Sequence, residues 1–287
     1  MYKKMISNPF VPSKQARSIL MLAVGILAAY VILIRAGGIR AELAESNLQA
    51  NLIRISRYEH ERPAEFVIAG SSIAGRLLPT YFQELGMDVQ NLGLDGSSPL
   101  FAFEVISRRN VMPKEIFVDT STLFNPVGAN NAVLRDAINN PGWIMSSWFL
   151  PFQPIYRPSS ILYSWFKKKK ETHISGIPQM AFSNSRENQM PLPNLGEENM
   201  YSTVRNALAS FQSKGIAIQL LNIPRGEGWG EPSHGLDRKL ADDLHIPLVE
   251  IGPILAKQGV KLSFTDGRHL DVPSAKIIVS EYAKILK

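Results

Sequence analysis

Cysteine is absent from this chain. That excludes disulfides and every thiolate metal site, and it leaves the compartment open. Histidine is scarce. Of the five in the chain, His173, His234 and His245 are widely scattered with no ligand spacing, and no metal is expected. A nucleotide phosphate loop is missing too. The glycine-rich stretch Pro224-Arg225-Gly226-Glu227-Gly228-Trp229-Gly230 lacks the lysine and the Ser/Thr such a loop needs, so no cofactor is expected. Nor is there a spread-out basic surface. The net charge of +6 is concentrated in Lys3, Lys4, Lys14 and Arg17 and in the run Lys167, Lys168, Lys169, Lys170, which argues against a nucleic-acid partner. There is no internal repeat.

Charge is also missing from residues 18–34, which are almost wholly apolar. Seventeen residues of helix span ~26 Å, the short end of the transmembrane range. Arg35 can snorkel and let residues 36–39 extend the span. Basic residues precede the segment without acids, whereas Glu42 and Glu45 accompany Arg35 and Arg40 after it. The positive-inside rule then puts residues 1–17 in the cytoplasm, an uncleaved anchor at 18–38, and the rest outside. Residues 39–62 read as a helical stalk ended near Pro63, with Ile39, Leu43, Leu48, Leu52, Ile53 and Ile55 near helical spacing and His60 solvated.

From residue 63 to 287 short apolar runs alternate with helical patterns. Strands are expected at 65–69, 88–92, 115–118, 216–222 and 247–251, with helices at 73–85, 100–109, 199–213, 234–244 and 273–286. Such alternation implies a three-layer α/β/α domain with a mostly parallel five-stranded sheet. Residues 125–197 interrupt the rhythm. Trp143, Trp148, Phe149, Phe152, Tyr156, Tyr163, Trp165 and Phe166 crowd into this insertion, punctuated by prolines and followed at once by the four lysines. The rings either pack on the sheet or form a lid or a surface resting on the bilayer, where tryptophan, tyrosine and lysine are suited to the interface. Residues 176–196 read as a loop.

The chemistry concentrates at two places. The run 66–69 stops at Gly70, and Ser71 and Ser72 follow before a helical pattern begins at Ile73. A strand passing into a helix there puts a hydroxyl, and the helix's free N–H groups, at the carboxyl end of the sheet, where ligands of open α/β sheets bind. A serine in that place also serves as a plain helix cap. The far end of the chain supplies what a nucleophile needs. His269 lies three residues after Asp266, and a free hydroxyl requires such a base to react near neutral pH. Asp271 reads as the cap of the last helix. Arg225 lines the same sheet edge and is a candidate for an anionic substrate group.

This order of motifs resembles the SGNH (GDSL-type) hydrolase superfamily over residues 65–287. The resemblance implies a flavodoxin-like fold. It makes Ser72 of Gly70-Ser71-Ser72 the nucleophile, with Ser71 where the family has aspartate. Gly96 in Asn91-Leu92-Gly93-Leu94-Asp95-Gly96 matches the glycine whose N–H, with that of Ser72, forms the oxyanion hole. Asp266-Gly267-Arg268-His269-Leu270 matches the Asp-x-x-His-Leu block. The third block, Gly-x-Asn-Asp just after strand three, departs from the pattern. Asn125 is the nearest asparagine to Asp119-Thr120-Ser121, and Thr120 or Ser121 stands as an alternative donor. Membrane-anchored relatives with Gly-Ser-Ser imply an extracytoplasmic acyltransferase or esterase acting on an acylated envelope glycan, beside a multi-span acyltransferase. The alternative is an inactive binding or assembly subunit of an envelope polysaccharide complex.

Overall fold

The computed structural model describes residues 14–285 other than 38, 42–43, 125–129, 172–196, 227 and 231–234. Asn125, His173, His234 and the loop 176–196 lie outside the described residues. Five strands form one parallel sheet: β1 (Phe66–Ser71), β2 (Val89–Leu94), β3 (Glu115–Asp119), β4 (Ala217–Asn222) and β5 (Leu248–Glu250). Their order is β2-β1-β3-β4-β5. That is the flavodoxin-like order, whose switch point lies between β1 and β3. Gly70 and Ser71 of β1 sit opposite Gly93 and Leu94 of β2, and Ala69 opposite Val118 of β3. The turns leaving β1, β2 and β3 are therefore side by side.

Side chains alternate across the strands and feed two cores. Val67, Ala69, Ile116, Val118, Ile218 and Leu220 join one. It is covered by α2 (Asn47–His60), α4 (Pro99–Ser107), α5 (Asn130–Asn139), α8 (Glu197–Ser213) and α9 (Leu236–Leu244). Ile68, Phe117, Leu221 and Val249 join the other, under α3 (Pro79–Gln83), α10 (Ile251–Lys257) and α11 (Val272–Ile285). Helices on both faces explain the apolar runs of β1 and β3, while Gln90 and Asn91 interrupt β2 and Gln219 interrupts β4.

Three expectations change. The helix over 73–85 is broken. A single 3₁₀ turn, Ala74–Arg76, is followed by Leu78 in extended conformation and by Pro79 opening α3. A proline disfavours helical dihedrals in the residue before it. The Asn91 amide donates to the carbonyls of Ala74 and Leu77 at 2.8 and 2.6 Å, satisfying groups the broken helix leaves open. Residues 47–60 of the expected stalk are helical, but they pack on the domain rather than stand apart from it. Leu52, Ile55 and Tyr58 of α2 are buried in the first core, and His60 is half-buried with Nε2 3.2 Å from Ser146 Oγ. Burial lowers the His60 pKa against the opposing pull of Glu59. Residues after β5 turn directly into α10, although Gly252 and Pro253 lie within its first turns.

The insertion divides. Leu134 and Ile138 of α5 and Trp143 of α6 (Pro141–Ser146) belong to the core, and the Trp143 indole donates to Glu59 at 2.7 Å. The rings of Trp148, Trp165 and Phe166, the last two on α7 (Pro158–Glu171), face outward. At the other end of the described chain, α1 (Lys14–Arg35) is long and apolar enough to cross a membrane.

Candidate active site

Ser72 follows β1 directly, at the switch point of the sheet. Its Oγ lies 2.8 Å from His269 Nε2, although 197 positions separate them in sequence. The other ring nitrogen, Nδ1, is 2.6 Å from Asp266 Oδ2. The three side chains thus form a continuous line, acid to imidazole to hydroxyl.

Local geometry fixes each member. Asp266 Oδ1 accepts the backbone N–H groups of Arg268 and His269 at 3.1 and 2.9 Å, which closes a tight turn around Gly267 at positive φ. Phe264 and Leu270 bridge the base of that turn, and Leu270 is buried. Asp271 then accepts the N–H of Ser274 at 2.9 Å and so caps α11, as its place in the sequence suggests. Burial raises the Asp266 carboxyl, but the N–H of His269, its ring and the N–H of Arg268 outweigh burial, and the pKa is lowered. The carboxylate that faces the imidazole is therefore held in its charged form.

A carboxyl that sequence reading passed over holds the neighbouring Ser71. Asp119 ends β3 and is fully buried. Its Oδ2 accepts from Ser71 Oγ at 3.3 Å and from Ser121 Oγ at 2.8 Å, and its Oδ1 from the N–H of Ser121 at 2.9 Å. Burial raises its pKa, and the bonds from Ser121 and Ser71 offset only part of that. Gly70 lets the two strands approach here, since a Cβ on it would meet the Asp119 Cβ at 2.7 Å. Ser71 is thereby tied to β3.

Gly96 lies in the turn leaving β2 with φ +66°, a conformation that favours glycine. The turn is held from α2. Asn51 donates to the Asp95 carbonyl at 2.9 Å and accepts the Asp95 N–H at 2.8 Å. Arg54 reaches the Gly93 carbonyl at 2.6 Å and the Asp95 carboxylate at 3.3 Å. Asn130, at the start of α5, presses its amide on Gly96 so closely that a methyl there would collide with it. Its neighbour Asn131 is buried and accepts the Ser97 hydroxyl. The signal was present: Gly128-Ala129-Asn130-Asn131 has the Gly-x-Asn spacing sought nearer to β3. Thr120 is buried and Ser121 is committed to Asp119.

Arg225 is exposed, and its Nη1 donates to the Ser121 carbonyl. The loop it begins touches the histidine turn, since a Cβ at Gly226 would stand 2.6 Å from the Gly267 carbonyl. Arg225 therefore lies between the turn leaving β3 and the histidine turn. Among the described residues no group of three His, Cys, Asp or Glu could hold a metal ion.

No family model matches the chain, and no curated protein matches it. Solved structures similar to it include two mutant forms of the esterase AlinE4, at 14% and 13% identity. Each covers 77% of this chain and 93% of its own, with a TM-score of 0.32. Likeness at that level carries nothing about activity, which rests on the residues themselves.

Proposed function

We propose that this chain is a membrane-anchored serine esterase or acyltransferase of SGNH type. The observation that carries the reading is the contact of His269 with Ser72 on one ring nitrogen and Asp266 on the other. His269 takes the Ser72 proton as the hydroxyl attacks an ester carbonyl, and Asp266 orients the ring and stabilises its charged form. The N–H groups of Ser72 and Gly96, with the Asn130 amide, receive the oxyanion. An acyl-serine forms, the alcohol leaves with the proton from His269, and water or a second hydroxyl then accepts the acyl group.

The finer reading is transfer or removal of an O-acyl group on a cell-envelope glycan. The apolar α1, with basic residues before it, supports a single-pass anchor with the N-terminus inside and the domain on the outer side. A multi-span acyltransferase would supply the acyl group. An assembly role without catalysis would be favoured by an imidazole remote from Ser72, and that is not the arrangement found.

The test is labelling of the full chain with a fluorophosphonate, together with turnover of p-nitrophenyl acetate. Labelling and turnover are expected in the wild type and lost in Ser72→Ala. Labelling that survives the substitution sinks the proposal. Offered water and an oligosaccharide together, a transferase yields acylated sugar and an esterase yields free acid alone.

A further inference from the structure

The outer end of α1 is not free of the body. Tyr30 donates its hydroxyl to the Tyr156 carbonyl, Ala41 donates its N–H to the Ile155 carbonyl at 2.8 Å, and Ile34 is 4% exposed. Tyr30, Val31 and Ile34 thus form one face turned to the 3₁₀ turns Leu150–Phe152 and Pro154–Tyr156, while Ile32 and Leu33 on other faces remain exposed. This clasp has a consequence for depth. An uncharged stretch that reaches only ~26 Å must use its whole length to cross a core of about 30 Å. Tyr30 lies four residues inside the end of that stretch, about 6 Å below it. A segment that grips Tyr30 therefore reaches the level of the outer lipid leaflet.

The surface beside the clasp has the matching chemistry. Trp148 is 88% exposed, and Trp165 and Phe166 are each 58% exposed. Phe152 and Leu162 are exposed with them. The turn Pro154–Tyr156 packs on α7, which joins the two halves of the patch. In the sequence Lys167, Lys168, Lys169 and Lys170 follow the last of these rings directly. Amphipathic rings followed by lysines form the pattern of a surface seated among lipid headgroups.

Resting on the reading of α1 as a membrane span, we propose that residues 148–166 form a second, interfacial membrane contact. Its occupant is the lipid bilayer. Trp148, Phe152, Leu162, Trp165 and Phe166 enter the headgroup boundary around the exit of α1 and hold the body in one orientation on the membrane. The anchor is then a rigid mount rather than a flexible leash.

The absence of cysteine makes the test clean. Single cysteines at Ser147, Leu162, Ile26 and Ser202 of the full chain carry a nitroxide, in nanodiscs of phosphatidylethanolamine and phosphatidylglycerol. Relaxation by oxygen, which concentrates in lipid, is compared with relaxation by an aqueous nickel chelate. Ile26 should read as lipid and Ser202, exposed on α8, as water. Ser147 and Leu162 should favour oxygen at shallow depth, and Trp148→Asp with Trp165→Asp should reverse that ratio at Ser147. Readings at Ser147 and Leu162 equal to Ser202, with Ile26 still in lipid, overturn the interfacial contact and leave the span standing. Water at Ile26 as well removes the span, and this inference with it.

Discussion

Asp266 faces the His269 ring and Asp119 holds Ser71, and their environments push them in opposite directions. Asp266 has a lowered pKa despite partial burial, because peptide and imidazole N–H groups bind its charged form. Its contribution to stability is present above its unfolded pKa and lost as pH falls through the lower folded value. Asp266→Asn should therefore melt below the wild type near neutrality, with the gap closing as pH falls below 3.8. Asp119 has a raised pKa because burial outweighs its hydrogen bonds. Its folded state favours the proton, so the wild type loses stability relative to Asp119→Asn as pH rises from 3.8 towards the raised value. Melting curves of the three proteins across pH check both signs, and parallel curves would refute them. Catalysis tests the tie to Ser71 separately. Asp119→Ala frees Ser71 and Ser121, and small displacements near a reacting group cost up to about 100-fold. kcat should fall by roughly that factor with KM little changed. Asp119→Asn keeps an oxygen for the Ser121 N–H and should recover much of the loss. Equal loss in both variants would show that the acceptor at Oδ2, which asparagine replaces with a donor, is what matters.

Among the elements, α2 is where position in the chain misleads. Next to an apolar helix long enough to cross a membrane, residues 39–62 look like a stalk, and their scattered apolar residues suit one. Yet Leu52, Ile55 and Tyr58 fall on a single helical face, and that face is core. Ile55→Ala should cost about 2–5 kcal/mol in chemical denaturation, as a buried truncation does and a stalk substitution would not. Asn51→Ala should also lower kcat, because it removes both hydrogen bonds that hold Asp95 and, with it, the Gly96 turn. The strands were legible because burial on both faces concentrates apolar residues in short runs, continuous over 66–69 and 116–118 though broken by Gln90 and Asn91 in β2 and by Gln219 in β4. The turn at Asp266 was legible because acid, imidazole and the bonds that orient them come from neighbouring positions. Asn51 and the contact of Asp119 with Ser71 were not, since each joins partners brought near only by the fold, and the Gly-x-Asn spacing at Asn130 falls later than the place just after β3 where it was sought. Pro79 declares a break that the apolar pattern of 73–85 conceals. The helix after β5 is concealed in the opposite way, by a glycine and a proline that usually end helices.

At the scale of the molecule, the site and α1 are separable in the structure. Both cores are built from residues between Leu52 and Ala283, and of α1 only Ile34 is buried. Ser72 and His269 are held by β1 and by the turn before α11, with no contribution from α1. A chain beginning at residue 44 should therefore fold, melt within a few degrees of the full protein, and turn over p-nitrophenyl acetate at an unchanged rate. Its action on an ester held in the membrane should differ. Tethering raises the effective concentration of two partners, and that advantage is worth 10²–10⁴-fold when the geometry permits both contacts. The truncated chain should accordingly lose on the order of 100-fold against an acylated glycolipid in vesicles while keeping its rate on the soluble ester. The ratio of the two rates, measured on both forms, is the deciding quantity. A truncated chain that fails to fold would instead make α1 a structural helix of the domain. A ratio unchanged by truncation would mean that catalysis draws nothing from the membrane.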